Sequence, residues 1–102
     1  MSSQMVVQRT DESRSFVTRR IAGETLIVPV TGHVMNLESI YVANEVASRI
    51  WELLESPTSI ERIARTLAGE FAVPPDRASE DVAEFLASLS DRGLVRYLGE
   101  AD

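Results

Sequence analysis

The sequence contains no cysteine and no lysine, and it has a single histidine, His33. The missing cysteines exclude a disulfide framework, a thiolate nucleophile and any zinc site built on cysteine. His33 has no second histidine and no recognisable base partner, so we interpret it as an ordinary loop or strand residue. Patterns for a phosphate-binding loop, a nucleophile elbow or a metal-binding helix are also missing. We therefore expect a protein that is not an enzyme and that holds no cofactor or metal.

Long apolar runs are missing as well. No stretch approaches the ~18 consecutive apolar residues of a membrane-spanning helix. The first fifteen residues lack the basic start and the apolar run of a signal peptide. We therefore expect a protein that does not enter a membrane. We also expect a cytoplasmic location, because the absence of cysteine fits a reducing compartment. Its 102 residues suffice for one domain with its own core.

Charge is distributed unevenly along the chain. Sixteen acidic residues face ten basic residues, all of them arginine. Residues 38–102 carry thirteen acidic residues against six arginines, whereas residues 1–37 carry three against four. An acidic surface repels phosphate, so we expect neither nucleic acid nor an anionic membrane as a partner. A peptide or protein with basic patches remains compatible with this charge.

The first half of the chain predicts short strands. Residues 1–15 are mostly polar, and we expect a loosely held, flexible tail there. The β-branched runs 16–21 and 25–30 flank Ala-Gly-Glu, which predicts a hairpin with glycine at the turn. Pro29 cannot donate to a ladder, so the second strand should lie at an edge or carry a bulge there. Residues 40–43 are the third strand candidate.

The second half predicts three helices. Asn44 has N-cap chemistry for a helix that runs to about residue 55. Thr58 and Glu61 match a capping box for a second helix that ends at residue 71. A third helix is predicted over 75–92, since proline is favoured in a first turn and Gly93 can end the helix. A single domain should thus span 16–98, with a C-terminal tail at 99–102.

This order predicts an α+β, winged-helix-like fold with three short antiparallel strands followed by three helices. Such folds often bind DNA through a helix in the major groove. The third helix opposes that use, because its charged residues sum to minus three: Asp76, Glu80, Asp81, Glu84 and Asp91 against Arg77 and Arg92. We keep a DNA-binding or protein-docking regulatory module as the alternative function for this fold.

Two consecutive segments resemble the PqqD family. They are LESIYVANEVASRIWELLE, residues 37–55, and TSIERIARTLAGEFAVPPDRASEDVAEFLASLSDRGLV, residues 58–95. The resemblance covers residues 21–95 and rests on the ordered set of helix motifs. Residues 29–36 form an extra segment before the third strand, where family members usually have a shorter connection. It implies a peptide chaperone that binds the leader of a ribosomally made precursor peptide and presents it to a radical SAM/SPASM maturase.

The mechanism that the family implies is strand addition. An exposed strand edge pairs with an extended peptide, and alternate peptide side chains enter a groove beside a helix. We place the edge at residues 40–42 and the groove wall on the third helix. The candidate peptide contacts are Ile40, Tyr41, Val42, Arg77, Asp81, Glu84 and Phe85. Acidic side chains at the rim would favour a leader with Lys or Arg, and the same edge could pair two copies into a homodimer.

Other residues admit two interpretations each. Trp51 lies beside an apolar helix stripe, which favours core packing over a partner contact. Glu80 and Glu84 could form a carboxylate pair for acid–base chemistry, but their spacing is that of a solvated helix face. Arg19 and Arg20 are read as ordinary strand-surface charge rather than as a docking patch for the maturase.

Overall fold

The computed structural model describes residues 5–10, 16–31, 34–35 and 37–100. His33 lies outside these residues, so its predicted role is not addressed. The strands are β1 (Met5–Arg9), β2 (Phe16–Ile21), β3 (Glu24–Thr31), β4 (Val34–Met35), β5 (Tyr41–Ala43), β6 (Thr58–Ser59) and β7 (Val95–Glu100). The helices are α1 (Glu45–Leu53), α2 (Ile60–Phe71) and α3 (Pro75–Asp91), and a 3-10 turn covers Leu37–Ser39. The α+β, winged-helix-like fold with three helices is confirmed, but it contains more strands than predicted.

The first sheet is built around β3. β2 and β3 form the predicted hairpin, and its turn residues Ala22 and Gly23 have φ angles of +51° and +85°, as hairpin turns matched to strand twist require. β5 and β4 pair with the opposite edge of β3, one after the other along the strand. Pro29 was expected at an edge or a bulge, yet it lies in this central strand. The β5 ladder ends at Ile27 and the β4 ladder begins at Val30, so Pro29 falls between the two on that edge.

The second sheet corrects the prediction of two tails. Met5–Arg9 form β1, the middle strand between β6 and β7, so residues 1–15 are not all a flexible tail. Val7 in β1 is fully buried. Gly99 and Glu100, expected in the C-terminal tail, pair with Val6 and Met5. The two ends of the described chain thus pair with each other, and this long-range pairing makes a strand of five residues that lie within a mostly polar stretch of sequence.

The helix starts follow side-chain caps. The Asn44 side chain accepts from the backbone N–H of Ala47 at 2.9 Å, as predicted. For α2 the capping residue is Ser59, whose hydroxyl accepts from the N–H of Arg62 at 3.1 Å. Thr58 was predicted for this role. Both residues lie in β6 and have cap chemistry, and Ser59 is the cap because α2 begins at the next residue, Ile60.

The end of α3 is a Schellman motif. Gly93 has a φ of +70°, its N–H donates to the Ser90 carbonyl at 3.0 Å, and the Leu94 N–H donates to the Leu89 carbonyl at 2.9 Å. These two bonds satisfy carbonyls that the end of the helix would leave free. The predicted end of the third helix at this glycine is confirmed.

The core lies among the two sheets and the three helices. Trp51 is 2 % exposed, and its ring meets Phe16 edge-on at 5.1 Å between centroids. The Arg9 guanidinium lies 5.1 Å from the centroid of the Trp51 ring. The interpretation of Trp51 as a core residue is confirmed. Its indole N–H has no acceptor among the described residues.

A buried hydroxyl pair joins the sheet to α1. The Thr25 hydroxyl on β3 donates to the Ser48 hydroxyl at 2.8 Å, and Ser48 donates to the Ala43 carbonyl at 3.0 Å. Thr25 and Ser48 are 2 % and 1 % exposed. Since Ala43 belongs to β5, this short chain of hydrogen bonds fixes β5 against both β3 and α1.

Candidate functional site

The outer edge of β5 is open. β5 pairs with β3 through Tyr41 and Ala43 at its two ends, and no strand in the described part of the chain pairs with its opposite edge. In an antiparallel strand, successive residues direct their backbone N–H and C=O groups to opposite edges, so those of Val42 face away from β3. The open edge therefore offers backbone donors and acceptors to another extended chain. Val42, at its centre, is 54 % exposed.

Tyr41 sets the distance between this edge and α3. Its ring packs against Phe85 with centroids 5.6 Å apart, and the Arg92 guanidinium lies 4.9 Å from the centroid of the Tyr41 ring. Phe85 and Arg92 both lie on or next to α3. The aromatic contact spaces the helix from the strand, and a groove remains between them.

The groove has two connected chambers. We call the first the acidic chamber; it measures about 450 Å³ and is lined by Glu24, Tyr41, Val42, Asn44, Ala47, Asp81, Glu84, Phe85 and Ser88. We call the second the apolar chamber; it measures about 280 Å³ and is lined by Asn44, Val46, Ala47, Ile50, Val73, Asp81 and Phe85. Four residues line both, so the chambers form one continuous groove.

The electrostatics of the two chambers differ. Three of the nine residues that line the acidic chamber are carboxylates, namely Glu24, Asp81 and Glu84, and none is basic. The apolar chamber has one carboxylate, Asp81, among aliphatic and aromatic side chains. The Arg77 guanidinium is 3.9 Å from the Asp81 carboxylate, and both side chains are well exposed. Such a pair is weak, so it leaves most of the negative potential in place.

The structure brings five of the seven predicted contact residues to the acidic chamber: Tyr41, Val42, Asp81, Glu84 and Phe85. Ile40 precedes β5, is half-buried and does not line the groove. Arg77 is exposed on the first turns of α3 and touches the site only through Asp81.

Sequence reasoning missed the wall that α1 contributes. Asn44 and Ala47 line both chambers, and Val46 and Ile50 line the apolar one. In the sequence these residues were recognised only as a helix cap and as part of an apolar helix stripe. That pattern predicts burial, but it does not predict which residues of the stripe line a groove. Val73, in the connection before α3, carried no signal of its own.

Other candidate features proved unremarkable in the described part of the chain. Arg20 forms an ion pair with Glu52 on α1, which agrees with a surface-charge role for this arginine. No group of three or more His, Cys, Asp or Glu side chains within the described ranges is placed to hold a metal. Among the described helices, none is both long and apolar enough to cross a membrane.

Comparison with known proteins places this groove in context. The chain resembles the solved structure of TbiB1 in complex with the TbiA(beta) leader peptide, with a TM-score of 0.69 and 25 % sequence identity. The match covers 93 % of this chain and 99 % of the other. No curated protein sequence matches the chain. A family model described as coenzyme PQQ synthesis protein D (PqqD) matches residues 32–95, which include β5 and all three helices. Because this match covers more than half of the 102 residues, the chain belongs to the PqqD family.

Proposed function

We propose that this protein binds the leader segment of a ribosomally made precursor peptide and presents it to a radical SAM/SPASM maturase. The observation that carries the proposal is the open edge of β5 above a groove walled by α1 and α3. The leader adds to β5 as an extra strand. Backbone pairing then supplies affinity that tolerates sequence change, and the groove selects side chains.

The site is organised before any peptide arrives. The hydrogen bonds from Thr25 to Ser48 and from Ser48 to Ala43 hold β5 in place, and the contact of Tyr41 with Phe85 holds α3 beside it. A rigid edge lowers the ordering cost of binding, because only the peptide loses conformational freedom. The carboxylates of the groove favour leaders that carry Lys or Arg.

Two comparisons support the peptide-binding part. TbiB1, which this chain resembles over nearly its whole length, was solved with a leader peptide. The family model carries the description of a protein for coenzyme PQQ synthesis. The maturase partner rests on the family resemblance alone. The expected absence of catalysis and the cytoplasmic location rest on the composition and the motifs of the sequence.

A titration tests the proposal. The ¹⁵N-labelled protein is titrated with synthetic peptides that correspond to the N-terminal halves of short open reading frames encoded beside its gene. We expect amide shifts concentrated on β5, on α3 and at the start of α1. A second series uses one binding peptide with single backbone N-methyl groups, and affinity should fall at every other position, since alternate amides of an added strand pair with β5.

The controls separate binding from folding. Because N-methylation changes only the peptide, its effect cannot arise from an unfolded protein. Val42→Pro removes the backbone donor of β5 that faces the open edge, because Tyr41 and Ala43 face β3. It should weaken binding, whereas Leu98→Ser, at an exposed position of β7, should not. Shifts on the second sheet alone, or a loss of affinity without alternation along the peptide, would disprove strand addition at β5.

The same edge could instead pair two copies of the chain. In that case light scattering would show a dimer at micromolar concentration that a binding peptide dissociates. We expect a monomer without peptide and a complex of one protein chain with one peptide after peptide is added. DNA binding is the remaining alternative, and we expect no mobility shift at low salt because the exposed face of α3 is acidic.

A further inference from the structure

The two chambers of the groove lie in a defined order along β5. Tyr41 and Val42, on β5 itself, border only the acidic chamber. Val46 and Ile50, which follow β5 along the chain, border only the apolar chamber. Glu24 also lines the acidic chamber and precedes Thr25, the partner of Ala43, so the acidic chamber extends along β5. The apolar chamber follows it beyond the C-terminal end of β5.

The position of α3 gives the same order. Val73 lies just before the first turn of α3 and lines the apolar chamber, whereas Glu84 and Ser88 lie further along the helix and line the acidic chamber. Asp81, before Glu84, and Phe85, between Glu84 and Ser88, line both. Tyr41, the first residue of β5, contacts Phe85 and Arg92 in the second half of α3 and just after it. The start of β5 thus lies beside the end of α3, and both elements give the same apolar end.

The open edge accepts a strand in either direction, and antiparallel pairing is the favoured one. Antiparallel pairs outnumber parallel pairs about two- to three-fold in proteins and are slightly more stable per residue. β3, which occupies the other edge of β5, is also antiparallel to it. An antiparallel peptide enters at the apolar chamber and leaves past the acidic chamber, so its N-terminal part meets the apolar side chains.

We propose that the groove reads an ordered pair of residues in the leader: an apolar side chain first, followed by Lys or Arg two or four residues later in the C-terminal direction. The even spacing follows because alternate side chains of a strand face the same side. This inference rests on the proposed function, since it assumes strand addition at β5. It specifies the class of peptide and the direction in which the peptide lies.

The groove carboxylates should contribute only modestly to the affinity for the peptide. Asp81 and Glu84 are exposed, so each pair with a peptide cation is screened by water and salt. Replacing the basic residue by Glu should weaken binding about three- to tenfold at low salt, because one attraction is lost and one repulsion is gained. The effect should shrink at high salt. The contribution of the apolar side chain should persist there, since burial of apolar surface is not screened.

A display experiment tests the order without knowledge of the natural leader. A library of random sixteen-residue peptides is selected on the immobilised wild-type protein and, in parallel, on two double variants. The first, Asp81→Asn with Glu84→Gln, neutralises two groove carboxylates. The matched control, Asp76→Asn with Glu80→Gln, neutralises two exposed carboxylates on the same helix that do not line the groove.

We expect wild type and control to enrich peptides with an apolar residue followed by Lys or Arg two or four positions later. The groove variant should retain the apolar residue and lose the basic one. Enrichment of the reverse order, or equal loss of the basic residue in both variants, would overturn the inference. Enriched peptides that compete with each other but bind Val42→Pro as tightly as wild type would refute strand addition itself, so the two failures can be told apart.

Discussion

The buried hydroxyl pair of Thr25 and Ser48 permits a quantitative prediction. Ser48→Ala removes two hydrogen bonds and leaves the Ala43 carbonyl and the Thr25 hydroxyl without these partners inside the core. At about 1 kcal/mol of net stabilisation per buried hydrogen bond, the free energy of unfolding should fall by about 2 kcal/mol. For a domain of this size that loss corresponds to a decrease of about 8 °C or more in Tm.

A double-mutant cycle makes the reasoning sharper. Thr25→Val removes only the Thr25 to Ser48 bond and should cost about 1 kcal/mol. The double variant loses two bonds in total and not three, so it should cost about 2 kcal/mol and the coupling energy should be about 1 kcal/mol. Urea unfolding followed by Trp51 fluorescence and by circular dichroism measures each value. Ser90→Ala, at an exposed position, should stay within about 0.5 kcal/mol of wild type. Additive costs, or a Ser48→Ala variant as stable as wild type, would refute the assigned hydrogen bonds.

Three further predictions concern other parts of the fold. Gly93→Ala should destabilise the protein by about 1 kcal/mol because φ is +70° there, whereas Gly69→Ala, in the interior of α2 with open space around a Cβ, should stabilise it by up to about 1 kcal/mol in the same urea assay. Tyr97→Phe should not destabilise the protein, because the Tyr97 hydroxyl is buried without a hydrogen-bond partner among the described residues. Burial raises the pKa of Tyr97 above its ordinary value of 10.0, so wild-type stability should fall as the pH rises above about 10, and Tyr97→Phe should lose less. Hydrogen bonds from Arg49 lower the pKa of Glu70, so Glu70→Gln should destabilise the protein slightly at neutral pH, and this difference from wild type should vanish as the pH falls below the ordinary carboxyl range. A variant difference that persists unchanged at pH 3 would contradict the last prediction.

The caps and stripes of the helices could be predicted because they depend on neighbouring residues. Asn44 caps α1 and Gly93 ends α3, as local chemistry required. The buried residues of α3 also follow from helical spacing alone: Ala78, Val82, Phe85, Leu86 and Leu89. Each of these features depends only on residues within one or two helical turns, so it could be predicted without knowledge of the rest of the fold.

The misplaced features depend on distant parts of the chain. β1 pairs with β7 across about ninety residues of sequence, and its single fully buried residue, Val7, gives no readable alternation. β6, which was not predicted as a strand, pairs with β1 across about fifty residues of sequence. Pairing partners that are far apart in sequence leave no local trace when the strands have only two to six residues.

For this protein the sequence by itself determined three helices, one hairpin, an acidic helical half and the absence of thiol chemistry. It also placed Tyr41, Val42, Asp81, Glu84 and Phe85 among the candidate contacts. Only the tertiary structure decided that they share one groove with Asn44 and α1, and that this groove is apolar at one end and acidic at the other. The reason is physical: local signals set which residues become helix or strand, but an open edge and the space beside it exist only after distant elements have packed.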